Sequence, residues 1–352
     1  MNAWVSRAIS LIESDFNRSA DTHLIKVDLP ATPGIDLYLK DESTHPTGSL
    51  KHRLARSLFL FGLCNGQIHE NTVIVEASSG STAISEAYFA RLLGLRFVAV
   101  VPSGTSQEKI EQIGFYGGEC HFVAGQDIYC AAADLAEQTG GHYMDQFTFA
   151  ERVTDWRGNN NIADSIFTQM QTERFPAPKW VVVSAGTGGT SATIGRYIRY
   201  RRLATQLCVA DPEHSVFHEY YVSGDRSLTT HQASTIEGIG RPRVEPSFVA
   251  SVVDNMIKVS DEASLATIHF LQRLLHRRCG GSTGTNLYAA FELIAQMHAA
   301  GDVGSVVSMI CDDGERYAHS YYDDEWLAAN GFDLDLQMAH LEEFYKDGAW
   351  SV

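Results

Sequence analysis

Apolar and polar positions along this chain fall into blocks that change period. Short runs rich in Val, Ile and Ala predict strands at 35–40, 72–77, 96–101, 119–123, 180–184, 206–210 and 305–311, with a shorter apolar run at 257–259. Between them, apolar residues three and four apart predict helices at 83–93, 106–116, 128–138 and 159–171. Further helices are expected from the 186–190 turn to Arg201, from Ser260-Asp261-Glu262 onward, and after the 279–284 turn. At the N-terminus Trp4, Ala8, Leu11 and Ile12 fall on one face of a short helix. Leu50, Leu54, Leu58 and Phe61 form the stripe of another, with Ser49 as its N-cap. The stretch 213–248 is less regular.

Strands alternating with helices at this spacing predict βαβ units, hence parallel sheets covered on both faces. The expected fold class is α/β, with two domains that are each a mostly parallel sheet flanked by helices. The chain of 352 residues is long enough for both. The expected division is a smaller domain at 45–155, a larger one made of 1–44 plus 156–322, and an acidic C-terminal segment at 323–352. In such sheets ligands bind at the carboxyl ends of the strands.

Composition narrows the function. A net charge of −16 argues against nucleic acid and anionic membranes as partners. Part of that charge is local: the segment 323–352 holds eight acids and a single base, Lys346, and is expected to be solvated. No apolar run reaches the length of a membrane span. The N-terminus lacks a basic leader and a cleavage site, so no signal peptide is expected. The six cysteines are scattered without a C-x-x-C pair, which reads as reduced thiols in a cytoplasmic protein. His214 and His218 have i,i+4 spacing, but no metal site is expected.

Four short stretches carry the chemistry. Pro46-Thr47-Gly48-Ser49-Leu50-Lys51 is a turn that runs into a helix. It puts Lys51 near backbone N–H groups, where burial and the helix dipole disfavour the ammonium. A lysine that is readily neutral can attack an aldehyde and form a Schiff base. Gly186-Thr187-Gly188-Gly189-Thr190, after a buried strand and before a helix, is a ready phosphate cradle. Ser78-Ser79-Gly80-Ser81-Thr82 is a second strand-to-helix loop that can hold a carboxylate. Gly280-Gly281-Ser282 adds a hydroxyl between two helices. Each stretch also has a plain structural reading, as a helix start, a tight turn or a pair of caps. A cofactor with an aldehyde, a phosphate and a ring nitrogen would use all four, and pyridoxal 5′-phosphate (PLP) is such a cofactor.

The ordered motifs P-T-G-S-L-K-H-R, S-S-G-S-T, G-T-G-G-T and G-G-S-T-G resemble those of the fold type II, or β-family, PLP enzymes near cysteine synthase and cystathionine β-synthase. The resemblance runs from about Leu37 to Tyr317. It implies a tryptophan synthase β-like fold and a homodimer. It implies Lys51 as the Schiff-base lysine and catalytic residue, Gly186, Thr187, Gly188, Gly189 and Thr190 on the phosphate, and Ser282 at the pyridine nitrogen. Ser78, Ser79, Gly80 and Thr82, with Gln146, fall where the family binds the substrate carboxylate, and Gly238 lies in a segment beside the substrate. There are two departures. Ser81 stands where the family has an Asn that reaches the cofactor's 3′ oxygen, and His52 follows the lysine in place of Asp. The S-S-G-S-T form is most similar to the branch that includes bacterial L-cysteine desulfhydrases.

That resemblance implies β-elimination on a small amino acid, L-cysteine, through an aminoacrylate, releasing sulfide, pyruvate and ammonia. Three alternatives stand beside it. One is cysteine synthase-type β-replacement on O-acetylserine or a related activated serine. Another is a PLP-binding homologue without catalysis. The third is an NAD(P)-dependent oxidoreductase built on Gly186, Gly188 and Asp211, although Ser191 occupies the third glycine position of that fingerprint.

Overall fold

The computed structural model describes residues 2–124, 127–158 and 161–350. Among the described residues ten strands run β1 (Leu24–Val27), β2 (Ile35–Asp41), β3 (Ile74–Glu76), β4 (Phe97–Pro102), β5 (Glu119–Val123), β6 (His142–Tyr143), β7 (Trp180–Ser184), β8 (Gln206–Pro212), β9 (Asn255–Val259) and β10 (Gly304–Ile310). They form two sheets, a six-stranded one in the order β1-β2-β10-β7-β8-β9 and a four-stranded one in the order β5-β4-β3-β6. Every pairing is parallel except β1 with β2. All seven residues of β2 and of β10 are buried, as expected of strands covered on both faces. Two predicted features shift. β1 and β6 are too short to show a period in sequence. The helix expected at 159–171 is Ile162–Met170, and its expected start at 159–160 lies outside the described residues.

The chain divides into two compact units, and the boundaries differ from the sequence expectation. The segment ending at Asp21 belongs with 45–154 in the smaller unit, while Thr22–Thr44 joins the larger unit with the chain from Asp155 onward. The reason is the apolar face of the N-terminal helix, Ala3–Asn17. Val5, Ala8 and Ile12 share one core with Leu58, Phe59, Ile84 and Leu93. Tyr88 also donates its hydroxyl proton to Asp15 at 2.9 Å, and the Arg56 guanidinium lies 4.1 Å from the Phe16 ring centre. Leu11, expected on the buried face, is 42% exposed, and Val5 takes its place.

The stripe of the Lys51–Cys64 helix is likewise rotated. Its buried residues are His52, Ala55, Leu58, Phe59, Gly62 and Leu63, so Leu50, Leu54 and Phe61 lie at the edge. Gly62 leaves room there for Ile68, whose Cδ1 would lie 2.6 Å from an added Cβ.

The larger unit packs the Asp261–Leu275 and Gly281–Ala299 helices against its sheet. Gly284 lets them approach: a Cβ there would lie 2.0 Å from the Ser264 carbonyl oxygen. Ser264 and Thr285 hydroxyls bond across the contact at 2.7 Å. The acidic C-terminal segment is more than a solvated tail. It forms the helices Asp324–Ala329 and Asp335–Asp347, and Leu341 and Phe344 enter the core of the larger unit. The Phe344 ring lies 5.0 Å from that of Phe291. Phe344→Ala should therefore cost about 3–5 kcal/mol of unfolding free energy, measured by denaturant titration. A loss below about 1 kcal/mol would mean that the segment does not contribute to the core.

Candidate active site

In the smaller unit, Lys51 is half-buried and opens its helix. The turn before it uses Gly48 at φ +71°, a left-handed conformation that suits glycine. Ser49 is not the N-cap. Leu50 holds that position with helical backbone angles, and Ser49 Oγ instead accepts the Lys51 N–H at 3.3 Å. Thr47 ties the turn down: its hydroxyl lies 2.9 Å from Ser85 Oγ and 3.1 Å from His52 Nδ1. His52 packs among rings, stacked on His45 at 5.1 Å and 4.8 Å from Phe89. An imidazole suits this aromatic setting, where an acid would lose solvation without a paired charge.

The loop 78–82 follows β3. Gly80 N–H donates to Ser78 Oγ at 3.2 Å, and no side chain caps the Ser81–Leu93 helix that begins next. An uncapped helix start of this kind suits a carboxylate. Thr82 Oγ1 donates to Gln146 Oε1 at 2.7 Å, so two residues 64 positions apart are joined in the interior. Gln146 opens the Gln146–Val153 helix. Asp145 caps that helix from a left-handed conformation, φ 47°, and accepts the Thr148 N–H at 3.2 Å.

In the larger unit, the 186–190 loop leads from β7 into the Gly189–Arg201 helix, again without a side-chain cap. Gly188, at φ +90°, lies so close to the 247–248 backbone that a Cβ would meet Phe248 Cα at 2.6 Å. A Cβ on Gly186 would lie 2.1 Å from the Gly238 carbonyl oxygen, and Gly240 N–H donates to the Ala185 carbonyl at 2.9 Å. The predicted phosphate loop and the 237–240 segment thus pack directly on each other.

Ser282 is buried in the first turn of its helix. Beside it, a Cβ on Gly281 would meet Tyr321 at 2.9 Å and Ile236 at 3.2 Å. Tyr321 accepts the Glu237 N–H at 2.9 Å and donates to the Thr235 carbonyl at 2.7 Å. One run of contacts therefore links Gly281, next to Ser282, with the 235–240 segment and the glycine loop. The close backbone and bare helix start at 186–190 fit a phosphate group, and Ser282 offers a neutral hydroxyl for a ring nitrogen.

The family model described as pyridoxal-phosphate dependent enzyme matches residues 18–312. The chain belongs to this family. Among curated relatives, this pyridoxal-phosphate dependent enzyme is 58% identical to L-cysteine desulfhydrase Cds1 of Mycobacterium tuberculosis (strain ATCC 25177 / H37Ra), over 99% of its own chain and 96% of that protein. Among solved structures it shares the fold of O-ureido-L-serine synthase, with a TM-score of 0.75 at 24% identity, covering 91% of this chain and 98% of that one. A hydrogen sulfide-producing enzyme from Fusobacterium nucleatum has the same fold, with a TM-score of 0.75 at 22% identity, covering 88% and 97% of the two chains.

For a pyridoxal-phosphate dependent enzyme, Asp211 needs a role other than ribose binding. It has no exposed surface, and its Oδ2 accepts the His218 N–H at 2.9 Å. Burial pushes its carboxyl up to about 7. Among the described residues no cluster of His, Cys, Asp and Glu could hold a metal, and no helix is long and apolar enough to cross a membrane. The sequence reading missed Tyr321, Glu76 and the 247–248 backbone. Tyr321 and the 247–248 backbone meet partners far away in sequence, Glu76 accepts the N–H groups of both Ala77 and the distant Gln146, and no local pattern marks any of them.

Proposed function

We propose that this enzyme is an L-cysteine desulfhydrase that converts L-cysteine and water into hydrogen sulfide, pyruvate and ammonia. The observation that carries the reading is the 58% identity, along nearly the whole of both chains, to the M. tuberculosis L-cysteine desulfhydrase. Bound PLP supplies an aldehyde for the substrate amine and an electron sink for the bonds at Cα.

The chain's own residues do the rest. Lys51 Nζ would hold the cofactor aldehyde and, when free of it, would take the Cα proton as general base. The N–H groups of 186–190 hold the phosphate at the start of the helix. Ser282 offers a hydroxyl to the ring nitrogen. That hydroxyl would bring no negative charge to the ring nitrogen, which suits prompt loss of the β-substituent. Ser78, Ser79, Gly80, Thr82 and Gln146 bind the substrate carboxylate, with Gly238 beside the substrate. Ser81 faces the cofactor at the family's Asn position. A homodimer in the cytoplasm completes the reading.

The test is to give the purified, PLP-loaded protein L-cysteine alone and to assay sulfide and pyruvate together. Release of both in equal amounts is expected. Sulfide consumption with O-acetylserine, and no pyruvate from cysteine, would replace this reading with a synthase.

A further inference from the structure

Glu76 and Glu86 lie inside the smaller unit, each with 0% of its surface exposed, and the mechanism above uses neither. Glu76 ends β3, and both of its oxygens accept backbone N–H groups. Oε1 takes that of Ala77 at 2.7 Å, and Oε2 takes that of Gln146 at 3.2 Å. Ala77 leads into the 78–82 loop. Gln146 is the residue that receives the Thr82 hydroxyl. One carboxyl group therefore pins both chain segments that meet at the Thr82–Gln146 bond. Glu86 comes from the helix that follows the same loop, and its carboxyl stands beside that of Glu76. Neither Glu86 oxygen has a hydrogen-bond partner of ordinary geometry. A buried carboxylate without donors does not keep its charge, so Glu86 carries a proton.

We propose that Glu76 is a positioning residue for substrate capture, pinning the 78–82 loop to Gln146, with protonated Glu86 as the neighbour that keeps Glu76 an acceptor. This inference rests on the reading that these two segments hold the carboxylate of L-cysteine.

The electrostatics agree with the geometry. Burial raises the Glu76 carboxyl to about 8, and the N–H groups of Gln146 and Ala77 act against that rise. Burial and the Glu76 charge push Glu86 well above the carboxylate range. The other titratable groups facing the pair are Asp145, which raises Glu76 further, and Tyr143, whose phenol is held neutral. The folded chain thus keeps protons that the unfolded chain releases above the ordinary glutamate value of 4.5. The stabilising contribution of protonation is complete below that value and is lost as pH rises through about 8.

The experiment measures kcat and KM for sulfide release from L-cysteine, and Tm across about pH 6–9, in wild-type, Glu76→Gln and Glu86→Gln proteins. A glutamine at 76 keeps one acceptor oxygen and sets an amide NH2 against the other N–H. KM should rise about tenfold while kcat stays within about threefold. In Glu86→Gln the amide donates to Glu76 without titrating. KM should stay within about twofold of wild type, and the alkaline fall in Tm should become shallower, with Glu76 alone of the pair still titrating. A residue that only supports the fold would lower Tm and leave KM unchanged, and that outcome for Glu76→Gln overturns the proposal. If that variant does not fold, Glu76→Asp, one methylene too short to reach both N–H groups, must show the same rise in KM. A wild-type protein that releases no sulfide overturns the functional reading itself, whereas an active wild type with no change in KM overturns only this inference.

Discussion

Lys51→Ala should lose sulfide release by at least about 10³-fold, because it removes both the group proposed to hold the cofactor aldehyde and the proposed general base. The position makes this a clean test. Lys51 stands at the first turn of its helix and is half-buried, so truncation to alanine leaves the helix start intact. The turn before it is anchored by Thr47 and Ser49. Stability should therefore stay within about 1 kcal/mol of wild type. A second readout is independent of turnover. Borohydride should fix the cofactor covalently to Lys51 in the wild-type chain, detected by peptide mass, and leave the variant unlabelled. A Lys51→Ala protein with full activity would remove the lysine from the chemistry.

Gly186→Ala should lose most of its cofactor affinity and also part of its stability. The added methyl would sit 2.1 Å from the Gly238 carbonyl oxygen, well inside contact distance. Both partners are backbone, so no side-chain rotation relieves the clash. Either the phosphate loop or the 237–240 segment must move, at about 1–3 kcal/mol. A movement of under an ångström at the loop withdraws N–H groups from the phosphate, and PLP retention after dialysis should fall more than tenfold. Gly238→Ala is the control. Its backbone is left-handed, at φ +84°, but nothing lies within 4 Å of an added Cβ. That change should cost about 1–2 kcal/mol of strain without displacing the phosphate loop. Equal cofactor retention in the two variants would sink the idea that the Gly186 contact shapes the cradle.

Local structure around the candidate site was legible in sequence where a turn and a helix start coincide. A glycine run between a buried strand and a helix points to an anion cradle, and Gly186 and Gly188 do lie at close backbone contacts. Lys51 stood out because a turn and a helix start surround it. Less was legible where the cause is tertiary. The stripe drawn through Leu50, Leu54, Leu58 and Phe61 has the right period and the wrong phase, because His52 is buried by rings from another helix. The N-terminal helix was assigned to the wrong unit because its partners, Leu58 and Ile84, follow it by dozens of residues. The acidic tail looked solvated because charge outnumbers its apolar residues, yet Leu341 and Phe344 suffice to anchor it. The bond between Thr82 and Gln146 has no sequence signature beyond the resemblance, and Glu76 has none at all.

The strand order carries a further consequence for how the chain is made. β10 lies between β2 and β7 in the larger sheet, so the middle of that sheet is the last strand to be synthesised. All four strands of the smaller sheet have left the ribosome by Tyr143. The smaller unit can close while the larger one is still unfinished, in keeping with domains folding as units during synthesis. Meanwhile Ile35–Asp41, fully buried in the finished molecule, must wait for a partner more than two hundred and fifty residues downstream. During that wait its edge away from β1 stays open, the kind of exposed strand edge that chaperones cover and that aggregates when they do not.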